Sequence, residues 1–277
     1  MIPCIKDALE SDMGALIGRN GTIELEQMIQ VTPGRLKILE RNAGIFPVAV
    51  HSVFYRWQKE SIEATKSADV LAAGWYDPLK EAEAEAFQRW NVKALQVPLR
   101  TLESYYVEPE EQWTKLLEGH SVAVVTSFTE TAKKQVNKTE AIWGSHGVLP
   151  PAGSVDWHWI QTGHPRSIAQ GRNEWPDGIN SWSQAADYVV REVMKSGARF
   201  ALIGCGGLGM PIAKMLKDRG VIAIVMGGAI QVLFGIKGRR WEKHPIISGF
   251  WNDAWVWPSK EETPVYAEAI EGGCYWA

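Results

Sequence analysis

Only three of the 277 residues are cysteine, Cys4, Cys205 and Cys274, and they are scattered along the chain. That excludes a disulfide framework and favours a reducing compartment. Charge is nearly balanced, with 29 Lys and Arg against 32 Asp and Glu and a net charge of −3, so no basic field marks nucleic acid as a partner. No apolar run is long enough to cross a bilayer. The longest uncharged one, Val221–Ile236, is broken by Gly227-Gly228, and a membrane helix needs about 18–20 such residues. It reads as a buried strand followed by a buried helix. The first residues, MIPCIKDALESDMG, lack the apolar core of a signal peptide, and a cytoplasmic protein is expected. The six histidines show no ligand spacing on a helix, and there is neither a G-x-S-x-G elbow nor a P-loop.

What the chain has in excess is tryptophan, 14 residues against 7 Phe and 7 Tyr. Hydrophobic residues make up 45% and charged residues 22%, ordinary values for a folded chain. Short apolar runs alternate with amphipathic stretches, the pattern of a mostly parallel sheet with helices on both faces. Strands are predicted at 15–19, 69–73, 93–97, 121–126, 155–161, 199–204 and 221–226. Helices are predicted at 24–30, 48–67, 78–90, 110–117, 128–138, 181–196, 208–219 and 229–235. One Rossmann-like α/β domain over 1–277 is expected, with a Gly/Pro/Trp-rich loop region at 143–182 and an aromatic tail at 245–277. So much aromatic surface near the end of the chain, in GGCYW, predicts that the tail docks back onto the body.

The sharpest motif is Gly204-Cys-Gly206-Gly-Leu-Gly209, a G-x-G-x-x-G turn directly after a predicted strand and opening a helix. In that context the glycines permit a tight turn, close approach of a phosphate and close helix packing, and the helix N-terminus faces the anion. The next predicted strand ends in Gly227-Gly228, where a nicotinamide-binding unit carries an acid for the ribose. Lys237, Arg239 and Arg240, beside Trp241, form a basic cluster suited to a diphosphate. Ser127-Phe-Thr129-Glu130 reads as a capping box, and its hydroxyls also stand where a doubly wound sheet places anionic ligands. Ser181-x-x-Gln184 reads as a capping box only. Glu24, in the turn Arg19-Asn-Gly21-Thr22-Ile23-Glu24, is placed to bind a metal or a sugar hydroxyl, or simply to favour the first turn of a helix.

Several of these pieces together resemble the GT-D-type glycosyltransferases, a Rossmann-like family using nucleotide-diphosphate sugar donors. The family opens with a turn of the form R-x-G-D-x-E, matched here by Arg19-Asn-Gly21-Thr22-Ile23-Glu24. The resemblance continues in Arg41-Asn42-Ala43-Gly44-Ile45-Phe46-Pro47, Ala68-Asp69 with Trp75, Ser127-Phe128, and Phe200–Gly209 with Gly227-Gly228. It implies a transferase that moves a sugar, with a UDP-sugar as the expected donor, to a glycan or other hydroxyl acceptor. Arg19, Gly21, Thr22, Ser127, Thr129, Gly204, Gly206, Gly209, Lys237, Arg239 and Arg240 would hold the donor. Glu24 would act in catalysis and in any Mn2+ or Mg2+ site. Thr22 stands where the family has its first carboxylate, and a hydroxyl does not replace an ionised ligand for a hard cation. The basic cluster would then carry the leaving diphosphate. Asp77 and Glu103, each just beyond a predicted strand, are the candidates for the base, and the Trp-rich loop is expected to receive the acceptor glycan. Two other readings stay open: a nicotinamide- or S-adenosylmethionine-dependent enzyme using the same turn, and a non-catalytic nucleotide- or carbohydrate-binding module.

Overall fold

Strands buried on both faces read as continuous apolar runs, and five such runs with two more exposed edge strands assemble into one sheet. The computed structural model describes residues 1–277. The strands are β1 (Ala15–Gly18), β2 (Val70–Ala72), β3 (Leu95–Val97), β4 (Ser121–Thr126), β5 (Asp156–Gln161), β6 (Phe200–Gly204) and β7 (Ile222–Val225). Every pairing is parallel, in the order β3-β2-β1-β7-β6-β4-β5. This is the Rossmann-like α/β architecture read from the sequence. Because all strands run the same way, all seven C-terminal ends open on one edge of the sheet.

The helices are α1 (Ile2–Glu10), α2 (Thr22–Ile29), α3 (Leu36–Ala43), α4 (His51–Ser67), α5 (Lys80–Trp90), α6 (Thr129–Gln135), α7 (Thr139–Trp143), α8 (Arg166–Ala169), α9 (Trp182–Ser196), α10 (Gly209–Lys217) and α11 (Ala229–Leu233). Alternate strand residues feed two cores. Ile17, Val124, Leu202 and Ile224 face one, with α1, α6, α7, α11 and the C-terminal tail. Leu16, Val125, Ile203 and Val225 face the other, with α2, α4, α9 and α10. The stretch Val221–Ile236 divides at its glycine pair into β7 and α11, and no helix is long and apolar enough to cross a membrane.

Two local expectations change and a third holds. Residues 110–117 form 3-10 turns at Pro109–Glu111 and Trp113–Leu117 rather than a helix. Ser127 does not cap α6. That helix starts at Thr129 with no side-chain cap, and Ser127 instead offers its carbonyl to Gln161 and Asn173. The second cap forms: Ser181 Oγ accepts from the Gln184 amide at 3.4 Å, opening α9.

Candidate active site

The loops leaving all seven strands wall one cleft of about 740 Å³. Clefts at the carboxyl edge of a doubly wound sheet are where such folds bind ligands. β1 delivers Arg19, Gly21, Thr22 and Glu24, β3 delivers Glu103 and Tyr105, and β4 delivers Ser127. Gly204, Cys205 and Gly206 come from β6 and the glycine pair from β7, while the tail adds Glu271, Tyr275 and Trp276.

The glycine turn is built by close packing. Gly204 lies against Ile230 and 2.8 Å, from its absent Cβ position, to the Gly227 carbonyl; Gly206 has φ 57° and comes as near to Ala43 O. Gly209 packs α10 on Val225, at 2.9 Å, and does not line the cleft. The pair after β7 has a different task. Where Gly227 would carry a β-carbon lies the Arg19 guanidinium, and the Gly228 position is 3.3 Å from Arg240 Nη1. Two glycines at this strand end thus clear space for two cleft arginines. Arg19 lies over the Trp75 ring at 5.1 Å. Arg240 stacks over Tyr275 at 4.9 Å and stands 3.8 Å from Glu271. Arg41 adds a third cation to the wall.

Opposing these are Glu24, Glu103 and Glu271. Glu24 sits in the first turn of α2, and its carboxyl curls back over Gly21 into the space a β-carbon would fill. Burial raises its pKa, a hydrogen bond with its own backbone and the Arg19 charge oppose that, and the like charge of Glu271 adds to it. Burial also raises Glu103, against the pull of Arg19, a hydrogen bond from Tyr105, and the charges of Arg100 and Arg240. Burial pushes the Cys205 thiol up to about 12, which disfavours its thiolate form. No three His, Cys, Asp or Glu side chains gather into a metal-binding group, and the charged neighbour that acts on Glu24 most strongly is Arg19. This donor set does not fit a hard divalent cation.

The remaining predicted residues lie elsewhere. Asp77 is exposed at the turn into α5 and does not line the cleft, so of the two candidate bases only Glu103 reaches it. Thr129 is buried and its hydroxyl donates to Gln161 Oε1. Arg239 clasps the tail through Glu268 and the Gly272 carbonyl, both at 2.7 Å, and Lys237 lies over Trp251 at 5.4 Å. Of the tryptophans in the Trp-rich loop, only Trp175 lines the cleft. Trp157 and Trp159 pack on Phe234, and Trp182 is fully buried under α4, donating to Val53 O at 3.0 Å. Sequence reasoning missed His164, whose Nε2 is buried without a partner, and Gln231, whose Oε1 is likewise unpaired. It also missed Glu271, for which the only signal was the unusual tail.

No family model matches the chain, and no curated protein does. Two solved structures are similar to it, each 11% identical over 96% of this chain and 91% of theirs, with a TM-score of 0.46. One is described as the domain of unknown function 1792. The other carries the statement that this domain has a distinct glycosyltransferase fold. A likeness of that size assigns neither activity nor substrate.

Proposed function

We propose that the cleft binds a nucleoside diphosphate sugar, UDP-linked in the first instance, and transfers its sugar to a hydroxyl acceptor. The observation that carries the reading is the meeting of Arg19, Arg240 and the Gly204–Gly206 turn with half-buried carboxylates at one sheet edge. The leaving group of such a transfer is a diphosphate that gains negative charge, and fixed guanidinium groups stabilise it most as the bond breaks. α10 opens at the same turn, and its N-terminal amides favour the same anion. Glu24 accepts hydrogen bonds from hydroxyls of the donor sugar and fixes the ring relative to the phosphates. Gly21 gives that carboxyl its seat. A nicotinamide enzyme is disfavoured, because the strand end where its ribose-binding acid would stand is filled by Arg19 and Arg240.

The reading is tested by thermal shift with UDP, GDP, CMP, NAD and S-adenosylmethionine, each with and without Mn2+. A ligand that binds only the folded state raises Tm by mass action. UDP or GDP is expected to stabilise the protein without Mn2+, and Glu24→Gln to abolish transfer while keeping nucleotide binding. Stabilisation by NAD or S-adenosylmethionine alone overturns the reading.

A further inference from the structure

A second cleft, of about 750 Å³, opens beside the first between the end of β2, α5 and the segment after β3. The two share Trp75, Leu99, Glu103, Trp241 and His244, and Glu103 is the one carboxylate common to both. The other acid of the second cleft, Glu83, is already engaged: its Oε2 accepts from the Gly74 amide at 2.6 Å. The opposite wall is held in place. His244 Nδ1 accepts from the amides of Ile246 and Ile247, at 3.3 and 3.2 Å, which leaves the proton on Nε2, 3.4 Å from Tyr106 Oη. The Arg100 guanidinium lies over the same Tyr106 ring at 4.2 Å. The cleft therefore combines the aromatic side chains of Trp75, Tyr106 and Trp241 with polar groups on Gln96, Arg100 and Lys80. A sugar ring, with C–H faces and a hydroxyl rim, is complementary to that lining.

We propose that the second cleft holds a carbohydrate acceptor and that Glu103, at the junction, takes the proton from its attacking hydroxyl. The proposal rests on the donor reading of the first cleft. The acceptor oxygen forms a bond to the anomeric carbon as the bond from that carbon to the diphosphate oxygen breaks. The electron pair leaves with the diphosphate, and the hydroxyl proton passes to the Glu103 carboxylate. One displacement of this kind inverts the anomeric centre. This places the acceptor away from the Trp-rich loop.

The test uses the full chain, UDP-sugars as donors and a panel of p-nitrophenyl monosaccharide glycosides as acceptors. Ala84 is exposed on α5 and lines only the second cleft, so Ala84→Trp plugs it from outside the core. Ala84→Trp is expected to raise the KM for the accepted glycoside by about tenfold or more, with the Kd for UDP within about twofold. Glu103→Gln is expected to lower kcat by about 100-fold or more with little change in glycoside KM. It also removes the acid limb of the pH profile, a limb set by Glu103 against Arg19, Tyr105, Arg100 and Arg240. If UDP binds and transfer occurs, but Ala84→Trp leaves the glycoside KM unchanged or Glu103→Gln keeps kcat and the acid limb, the proposal is overturned and the donor reading survives. A panel that neither binds nor reacts while donor is hydrolysed overturns the carbohydrate assignment. Failure of every nucleoside diphosphate to bind removes the donor reading itself.

Discussion

Trp57 donates its indole N–H to the carbonyl of Gly207 at 2.9 Å, and both residues are buried. The bond ties the middle of α4 to the glycine turn at the head of α10. Phenylalanine at 57 keeps an aromatic ring but leaves that carbonyl without a partner, a cost of about 1–3 kcal/mol. Trp57→Phe is therefore expected to unfold at lower denaturant by that amount, with an unchanged m value. Its affinity for UDP should fall too, because the turn it steadies lines the cleft. Chemical denaturation and calorimetric titration check the two effects separately.

Gly21→Ala probes the seat of Glu24. The backbone at 21 has φ −72°, which alanine adopts freely, so the fold loses little. The added methyl takes the place of the Glu24 carboxyl, and that flexible side chain swings away. A misplacement near 1 Å at a reacting site costs on the order of 100-fold in rate. Transfer is expected to fall by that order while Tm stays close to the wild type, measured by initial rates and a melting curve. Wild-type turnover would detach Glu24 from the chemistry.

What could be read from the sequence was what is local. Five of the seven strands were visible because each is an apolar run buried on both faces, as at Val122–Val125 and Phe200–Ile203, whereas β3 and β5 are the sheet's edge strands and are more exposed. The glycine turn and the Arg19–Glu24 turn were visible because their residues are contiguous. The choice between Asp77 and Glu103 was not, since both follow a strand and only the path of the chain after β3 brings one of them inward. Arg239 and Arg240 are neighbours in one 3-10 turn, yet one clasps the tail and the other faces the cleft. The tryptophans show the same limit: Trp157 and Trp175 look alike in a Trp-rich loop, and the packing of Phe234 decides which is structural. α3 escaped because its apolar face is only Leu36, Leu39 and Ala43.

His164 makes stability depend on pH. Burial lowers its pKa from 6.5 to about 4, so the native state refuses a proton that the unfolded chain accepts. Above the unfolded value both states are neutral and nothing is lost. Between there and the folded value the unfolded state binds more protons, and stability falls as pH falls. The loss reaches about 3 kcal/mol below both values. Replacing His164 with Phe is expected to flatten that part of the profile, so the gap between variant and wild type widens in the variant's favour from pH 7.5 to pH 4.5. Parallel profiles in urea would show that another group governs the acid limb.

The cleft arginines and their neighbours in sequence should separate cleanly in binding. Arg240 projects its guanidinium into the cleft over Tyr275, with side-chain exposure of 38% and a loose 3.8 Å contact to Glu271. Arg19 is held by Trp75 and by the space at Gly227. Each would make charge-assisted hydrogen bonds to a diphosphate, worth about 1.5–3 kcal/mol, or about 10- to 100-fold in Kd. Lys237 lies outside the cleft over Trp251 and contributes only a screened charge. Titration of UDP into Arg19→Ala and Arg240→Ala is expected to show losses in that range, and Lys237→Ala a change below about twofold. The contrast also depends on salt, because a phosphate held by two guanidinium groups weakens as ionic strength rises. If Lys237→Ala weakens UDP as much as Arg240→Ala does, the basic cluster acts as a diffuse field rather than through the two arginines seated by Gly227 and Gly228, and the diphosphate does not sit where the reading puts it.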